Sequence, residues 1–317
     1  MSAGLAHPSG RREPPCEREL RACIALNRGY APIALPEALA RVQRENSVDF
    51  GRARARAGFA RGHLIDVVLE LPGGRNNEQE VDAAERLVSF VLGEARADDW
   101  LGDVSVVPAP RGGPLRVMQA GGDSSNFFPL SELAATFEAA VTGLHAGLPP
   151  EPLWQQGGEQ RWVLLELDVE RADSFPAQSD VALASTFMPE MLKCFLSGAP
   201  FASARFSREG ELFAYLKTEE RVRDPRQALS ARRVLEDALD AALVTERAGR
   251  VVGSGMGVVY SYVDFGFHAL DRALSVVTTV ARRVGLPPKC WIQFCDTRLA
   301  NAWVPVHAGA PAPPGQR

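Results

Sequence analysis

An order of period-2 strands and amphipathic helices that returns along the chain at roughly 95-residue spacing constrains this fold more than any single motif. Apolar alternation at Leu64 to Leu71, Trp162 to Val169 and Val258 to Phe265 opens three stretches, each followed by helical periodicity and a short hairpin. In two of them a second helix closes the stretch. The recurring order βαββ(α) asks for sheets covered by helices, an α+β class. It names no substrate, because one architecture hosts many activities and function resides in a site.

The first unit, 63–160, begins with LIDVVLEL, which puts Ile65, Val67, Leu69 and Leu71 on one strand face and Asp66 and Glu70 on the other. Asn77 and Glu80 then form a capping box for a helix striped by Val81, Ala84, Leu87, Val88 and Val91. A hairpin turning at Arg111 to Gly113 and a helix from Leu130 to His145 complete it. The second unit, 161–250, runs through WVLLELDVE to a helix carrying Val181, Leu183, Phe187, Met191, Leu192 and Phe195, kinked or split at Pro189. The hairpin FASARFSREGELFAYL and a helix opened by Asp224 and Pro225 follow. The third, 251–307, is VVGSGMGVVYSYVDF, a helix with Leu270, Ala273, Leu274, Val277, Ala281 and Val284, and the pair CWIQF and AWVPV.

Read across the seams, each unit with the next strand has the βαββαβ order of the ferredoxin-like split βαβ motif. Three tandem ferredoxin-like units with mostly antiparallel sheets are therefore expected, with closure into one pseudo-symmetric body as the alternative. Residues 1–18 and 308–317, rich in Pro, Gly and Arg, are expected to be disordered. Residues 19–62 read as a helical, basic arm ending in the solvated run GRARARAGFAR.

With 317 residues and 46% apolar content the chain can bury sizeable cores. A net charge of −4 argues against a nucleic-acid partner, which asks for a basic face. No run approaches the roughly 20 apolar residues of a membrane span, and MSAGLAHPSGRREPP lacks the apolar core of a signal peptide. The odd count of five cysteines suits free thiols in a reducing, cytoplasmic setting.

Candidate chemistry is sparse. Gly253, Gly255 and Gly257 precede a strand instead of a helix N-terminus, so they mark a place where something packs against bare backbone more readily than a phosphate loop. Glu70, Glu166 and Asp264 hold equivalent places in the three opening strands and would form an acidic face if those strands were neighbours. Tyr260 and Tyr262 share a strand face and, with Trp291 and Trp303, would line a ligand pocket between units. Cys295, Asp296, Arg298 and His307 are the catalytic candidates near the last hairpin. Cys16 and Cys23 lack the short pair spacing of a zinc site, and the five histidines are scattered, so no metal and no cofactor is expected.

The leading expectation is a non-catalytic binding or regulatory protein, of inhibitor, immunity or accessory type, that engages a protein partner through a sheet surface or edge. An enzyme using the acidic face or the Cys295 cluster is one alternative. A small-molecule sensor with the aromatic pocket is the other.

Overall fold

The computed structural model of the protein describes residues 30–109, 126–157, 160–219 and 225–316. Among these residues, seven α-helices and two sheets, of four and seven strands, establish the α+β class. Among the described residues the chain divides into two compact units, one within Leu26–Leu148 and Lys193–Phe206, the other within Pro149–Leu192 and Ser207–Arg317. The expected disordered start, the opening of the arm and the hairpin turn at Arg111 to Gly113 lie outside the described residues.

The first unit contains α1 (Leu35–Asn46), β1 (Arg54–Phe59), β2 (Ile65–Leu71), α2 (Glu78–Leu92), α3 (Glu94–Trp100), β3 (Leu101–Pro108), β4 (Phe128–Pro129) and α4 (Leu133–Ala146). Its strand order is β3-β2-β1-β4. β1 is antiparallel to β2 and β4, whereas β2 and β3 run parallel and are joined by the crossover through α2 and α3 that parallel neighbours require. The arginine run is more than a connector, because its Arg54 to Phe59 portion is β1 itself, with Arg52 and Arg54 exposed. Alternate alanines give it a strand face: Ala53 and Ala55 enter the core, while Arg54 lies opposite Glu70 with a closest N–O distance of 3.8 Å.

Asn77 caps α2 as its spacing predicts, accepting the Glu80 N–H at 2.9 Å. The Glu80 carboxylate reaches back one and two residues further than in the usual box, to the N–H groups of Asn76 and Arg75 at 2.7 and 2.8 Å. Leu87 and Val88 of α2 then share a core with Ala38 and Val42 of α1, Val67 and Leu69 of β2, and Phe137 of α4.

The second unit holds β5 (Val163–Glu166), β6 (Val181–Thr186), β7 (Leu212–Glu219), β8 (Gly249–Gly257), β9 (Tyr260–Phe267), β10 (Cys290–Phe294) and β11 (Trp303–Pro305). A short helix, α5 (Pro189–Leu196), spans the point where the chain passes from one unit to the other, and α6 (Pro225–Thr245) and α7 (Leu270–Arg283) belong to the second unit. The strand order is β11-β10-β7-β9-β8-β6-β5, with every neighbouring pair antiparallel. The βαββαβ element order is met in full from β7 to β10, with the strands arranged β10-β7-β9-β8.

Three local expectations change here. Val181 and Leu183 lie on strand β6, and the helix begins only at Pro189, where a missing N–H removes no intrahelical bond. FASARFSREGELFAYL forms a 3-10 turn at Ser203–Arg205 and a single strand, β7. VVGSGMGVVYSYVDF belongs to two strands, β8 and β9, paired as a hairpin. α6 and α7 cover one sheet face, packing Leu239, Leu243, Ala273 and Val277 against Leu216, Val263, Phe265 and Ile292.

Leu87 is fully buried and Leu274 only partly so. Leu87→Ala is expected to cost about 2–5 kcal/mol and Leu274→Ala less. Glu166→Gln, on an exposed strand position, should stay within about 0.5 kcal/mol. Urea unfolding of the three variants checks this ranking.

Candidate functional site

Strand alternation sends Tyr215 and Lys217 of β7, Tyr260, Tyr262 and Asp264 of β9, and Trp291 of β10 to the sheet face opposite α6 and α7. Lys217 is fully buried at the middle of this face. Its Nζ donates to the carbonyl of Phe175 and, at 2.7 Å, to that of Ala177. It also lies 4.3 Å from the centre of the Tyr260 ring, a cation–π contact in a desolvated setting. Burial lowers its pKa to about 8, while the nearby Asp180 charge works in the opposite direction.

Asp180 is equally buried and fully engaged. One carboxylate oxygen accepts the N–H groups of Val259 and Tyr260 at 2.8 and 3.0 Å, capping the β8–β9 turn, and the other accepts the Tyr262 hydroxyl. Burial, then the hydrogen bond and charge of Asp180, keep that phenol protonated. Asp264 is held by the Gln178 amide at 2.6 Å, and burial raises its carboxyl to about 6 against the effect of that bond. The loop from Phe175 to Asp180 is thereby fastened to the face at three side chains, Lys217, Tyr262 and Asp264, and to the β8–β9 turn at the backbone N–H groups of Val259 and Tyr260.

The glycine run serves this arrangement. Gly253 lies opposite Asp264 across the β8–β9 ladder, and a Cβ there would stand 2.8 Å from the Asp264 carboxylate. A Cβ at Gly257 would fall onto the Asp180 carboxylate, and one at Gly255 would approach Val181 at 3.3 Å. Bare backbone is what lets two carboxylates lie flat on β8.

The residues expected to carry function are distributed as follows. Tyr262 and Trp291 are fully buried, Tyr260 nearly so, and Trp303 of the edge strand β11 partly exposed, so the aromatic set lies within a packed layer. Glu70 belongs to the four-stranded sheet, Glu166 is exposed on β5, and Asp264 is partly buried on β9, so the three acids do not form one face. Cys295 is buried at the end of β10, its N–H donating to Phe213 at 3.0 Å, while Asp296 and Arg298 lie at the following 3-10 turn and His307 after β11. The neighbouring Cys290 is pushed up to about 12 by burial, opposed by its hydrogen bond to Thr218, a thiol inert at neutral pH. Among the described residues no group of three or more His, Cys, Asp or Glu side chains could hold a metal ion, and no helix is long and apolar enough to cross a membrane.

Asp180, Lys217 and Gln178 were not anticipated. The available signal was Lys217 standing in period-2 register with Phe213 and Tyr215, a cation where the strand face reads apolar.

At the sheet's other end, β5 pairs only with β6 among the described residues. It exposes Leu164 and Glu166, and Trp162 just before it is exposed as well, with Leu164 at 65% and Trp162 at 48%, the Trp162 ring edge-on to Phe187. An open concavity lined by Glu166, Leu167, Asp168, Ala182 and Leu183 adjoins it. No protein-family model, curated protein or solved structure matches the chain.

The two shifted groups act on stability in opposite senses. Asp264 sits at about 6 when folded, above its unfolded value near 4. The folded state then holds the extra proton, and this group's contribution is lost as pH rises from about 4 through about 6. Lys217 sits at about 8, below its unfolded value near 10.4, so its contribution to stability grows as pH rises from about 8 to about 10.5. Denaturant titrations across pH should show the first slope vanish in Asp264→Asn and the second in Lys217→Met.

Proposed function

We propose that the protein is a non-catalytic binding module that engages a protein partner by adding an extended segment of that partner to the edge strand β5. The carrying observation is a sheet edge that has no strand partner among the described residues and exposes Leu164, with the half-exposed Trp162 immediately before it. Unpaired backbone groups supply affinity in such an addition, and alternate side chains supply selectivity. Glu166 and Asp168 beside the edge favour a partner strand with basic residues at alternate positions, and they discourage indiscriminate edge pairing.

The inward face supports a structural role in place of a catalytic one, because its ionisable groups are buried and tied to one another or to backbone. We read β7 to β10 as a ferredoxin-like unit on its element and strand order. The four-stranded sheet, with its parallel β2 and β3, lends no second copy. Among the described residues Cys194, Cys290 and Cys295 are buried and form no disulfide, which suits a reducing, cytoplasmic setting, and the net charge of −4 favours a protein over a nucleic-acid partner.

Affinity capture from native lysate should recover a stoichiometric protein with the unmodified chain and lose it with Leu164→Lys, whose thermal midpoint should match the parent because the site is exposed. Undiminished recovery with Leu164→Lys, or recovery of the bait alone, contradicts the proposal.

A further inference from the structure

The segment AGAPAPPGQ, residues 308–316, is docked in spite of a composition that predicts disorder. Trp291, 1% exposed, donates its indole N–H to the Pro311 carbonyl at 2.6 Å. Pro313 is buried, and its carbonyl accepts the Gln316 N–H at 3.1 Å in a closing turn. The Gln316 amide reaches the Ala300 carbonyl. Gly315 adopts φ +83°, and a Cβ there would stand 2.6 Å from Pro176. That position therefore requires glycine on two counts, backbone conformation and space.

These contacts have a definite chemistry. Prolines at 311, 313 and 314 fix their own φ and bias Ala310 and Ala312 toward extended backbone, so the segment favours polyproline II geometry. Such a strip offers carbonyl acceptors with few N–H donors, and an indole N–H at an aromatic surface is the complementary partner. Tyr260 stands beside Trp291, with ring centroids 6.3 Å apart. The segment pairs with no strand of the sheet, so it can leave without breaking a ladder, and its stiffness keeps the ordering cost of rebinding small.

We propose that the Trp291 end of this face is a recognition site for proline-rich peptides of the form P-x-P-P-G, occupied in cis by residues 311–315 and open to the same motif on a partner once that segment is displaced. The site uses β10 and stands whether or not β5 binds anything.

The test uses the full chain, labelled with nitrogen-15, with the Trp291 indole resonance assigned by its loss in Trp291→Phe. The probe is a synthetic peptide of residues 306–316. In a Pro313→Ser, Gly315→Val chain the indole resonance should move, and the peptide should restore it saturably. The same peptide with its prolines replaced by alanine should bind at least tenfold more weakly. With the same peptide carrying an N-terminal nitroxide, half-maximal broadening of the indole resonance in the unmodified chain should require at least tenfold more peptide than in the variant, since a short tether holds its own segment at millimolar effective concentration. An indole resonance unmoved in the folded variant, or equal binding of the alanine peptide, overturns the proposal. Should the variant not fold, the unmodified chain decides. At about ten millimolar peptide carrying a nitroxide at its N-terminus, above that effective concentration, paramagnetic broadening of the Trp291 indole resonance by the proline peptide and not by its alanine counterpart supports the site, and no broadening refutes it.

Discussion

A lysine side chain without solvent exposure in the middle of a seven-stranded sheet sets the terms for the second unit. An isolated buried ammonium is costly enough that the surroundings must either solvate it or neutralise it. Lys217 is solvated by two loop carbonyls and an aromatic face, with Asp180 nearby. Those carbonyls come from Phe175 and Ala177, so meeting the lysine's needs determines where the loop lies. The loop in turn offers Pro176 to Gly315, which links the lysine to the proline-rich segment above it.

The same loop explains the sequence of β8. A carboxylate can cap the β8–β9 turn and accept a tyrosine hydroxyl only if it lies close against the strand, and glycine at 257 permits that. Gly253 does the same for Asp264. One sheet therefore has two dissimilar faces. The helix-covered face is an apolar core of ordinary composition, and the other is a layer of tyrosine, lysine, aspartate and tryptophan whose order depends on every polar group finding its partner. Such a layer specifies position more than it stabilises, since a buried charge without its partners costs more than the pair contributes.

Legibility in the sequence followed the strength of periodicity. β2, α2 and α7 carry clean apolar stripes and are read close to where they lie, and the Asn77 cap is visible from its spacing to Glu80. β1 was hidden because its core side chains are alanines between arginines, a pattern that resembles a solvated run until a neighbouring strand supplies the other half of the pairing. β6, with Ala182, Ala184 and Ser185, has too little apolar contrast to be told from a helix start. The glycine run was correctly suggestive of close approach, but what approaches it, Asp180 and Asp264, depends on long-range pairing. The docking of residues 308–316 rests on one indole donor, one buried proline and one glycine, which composition cannot express. Tyr260 and Tyr262 share a strand face as their spacing predicts, and the burial of Tyr262 follows from the loop that covers it.

The dependence of that cover on Lys217 is the central claim, and hydrogen–deuterium exchange on Lys217→Met tests it most directly. Methionine keeps much of the length while removing the donors to Phe175 and Ala177. Faster exchange confined to residues 175–180 and 308–316, with α6 and α7 protected as in the parent, is the predicted result. Unchanged protection of both segments would contradict the account, and would mean that the loop and the proline-rich segment hold their places without the buried charge.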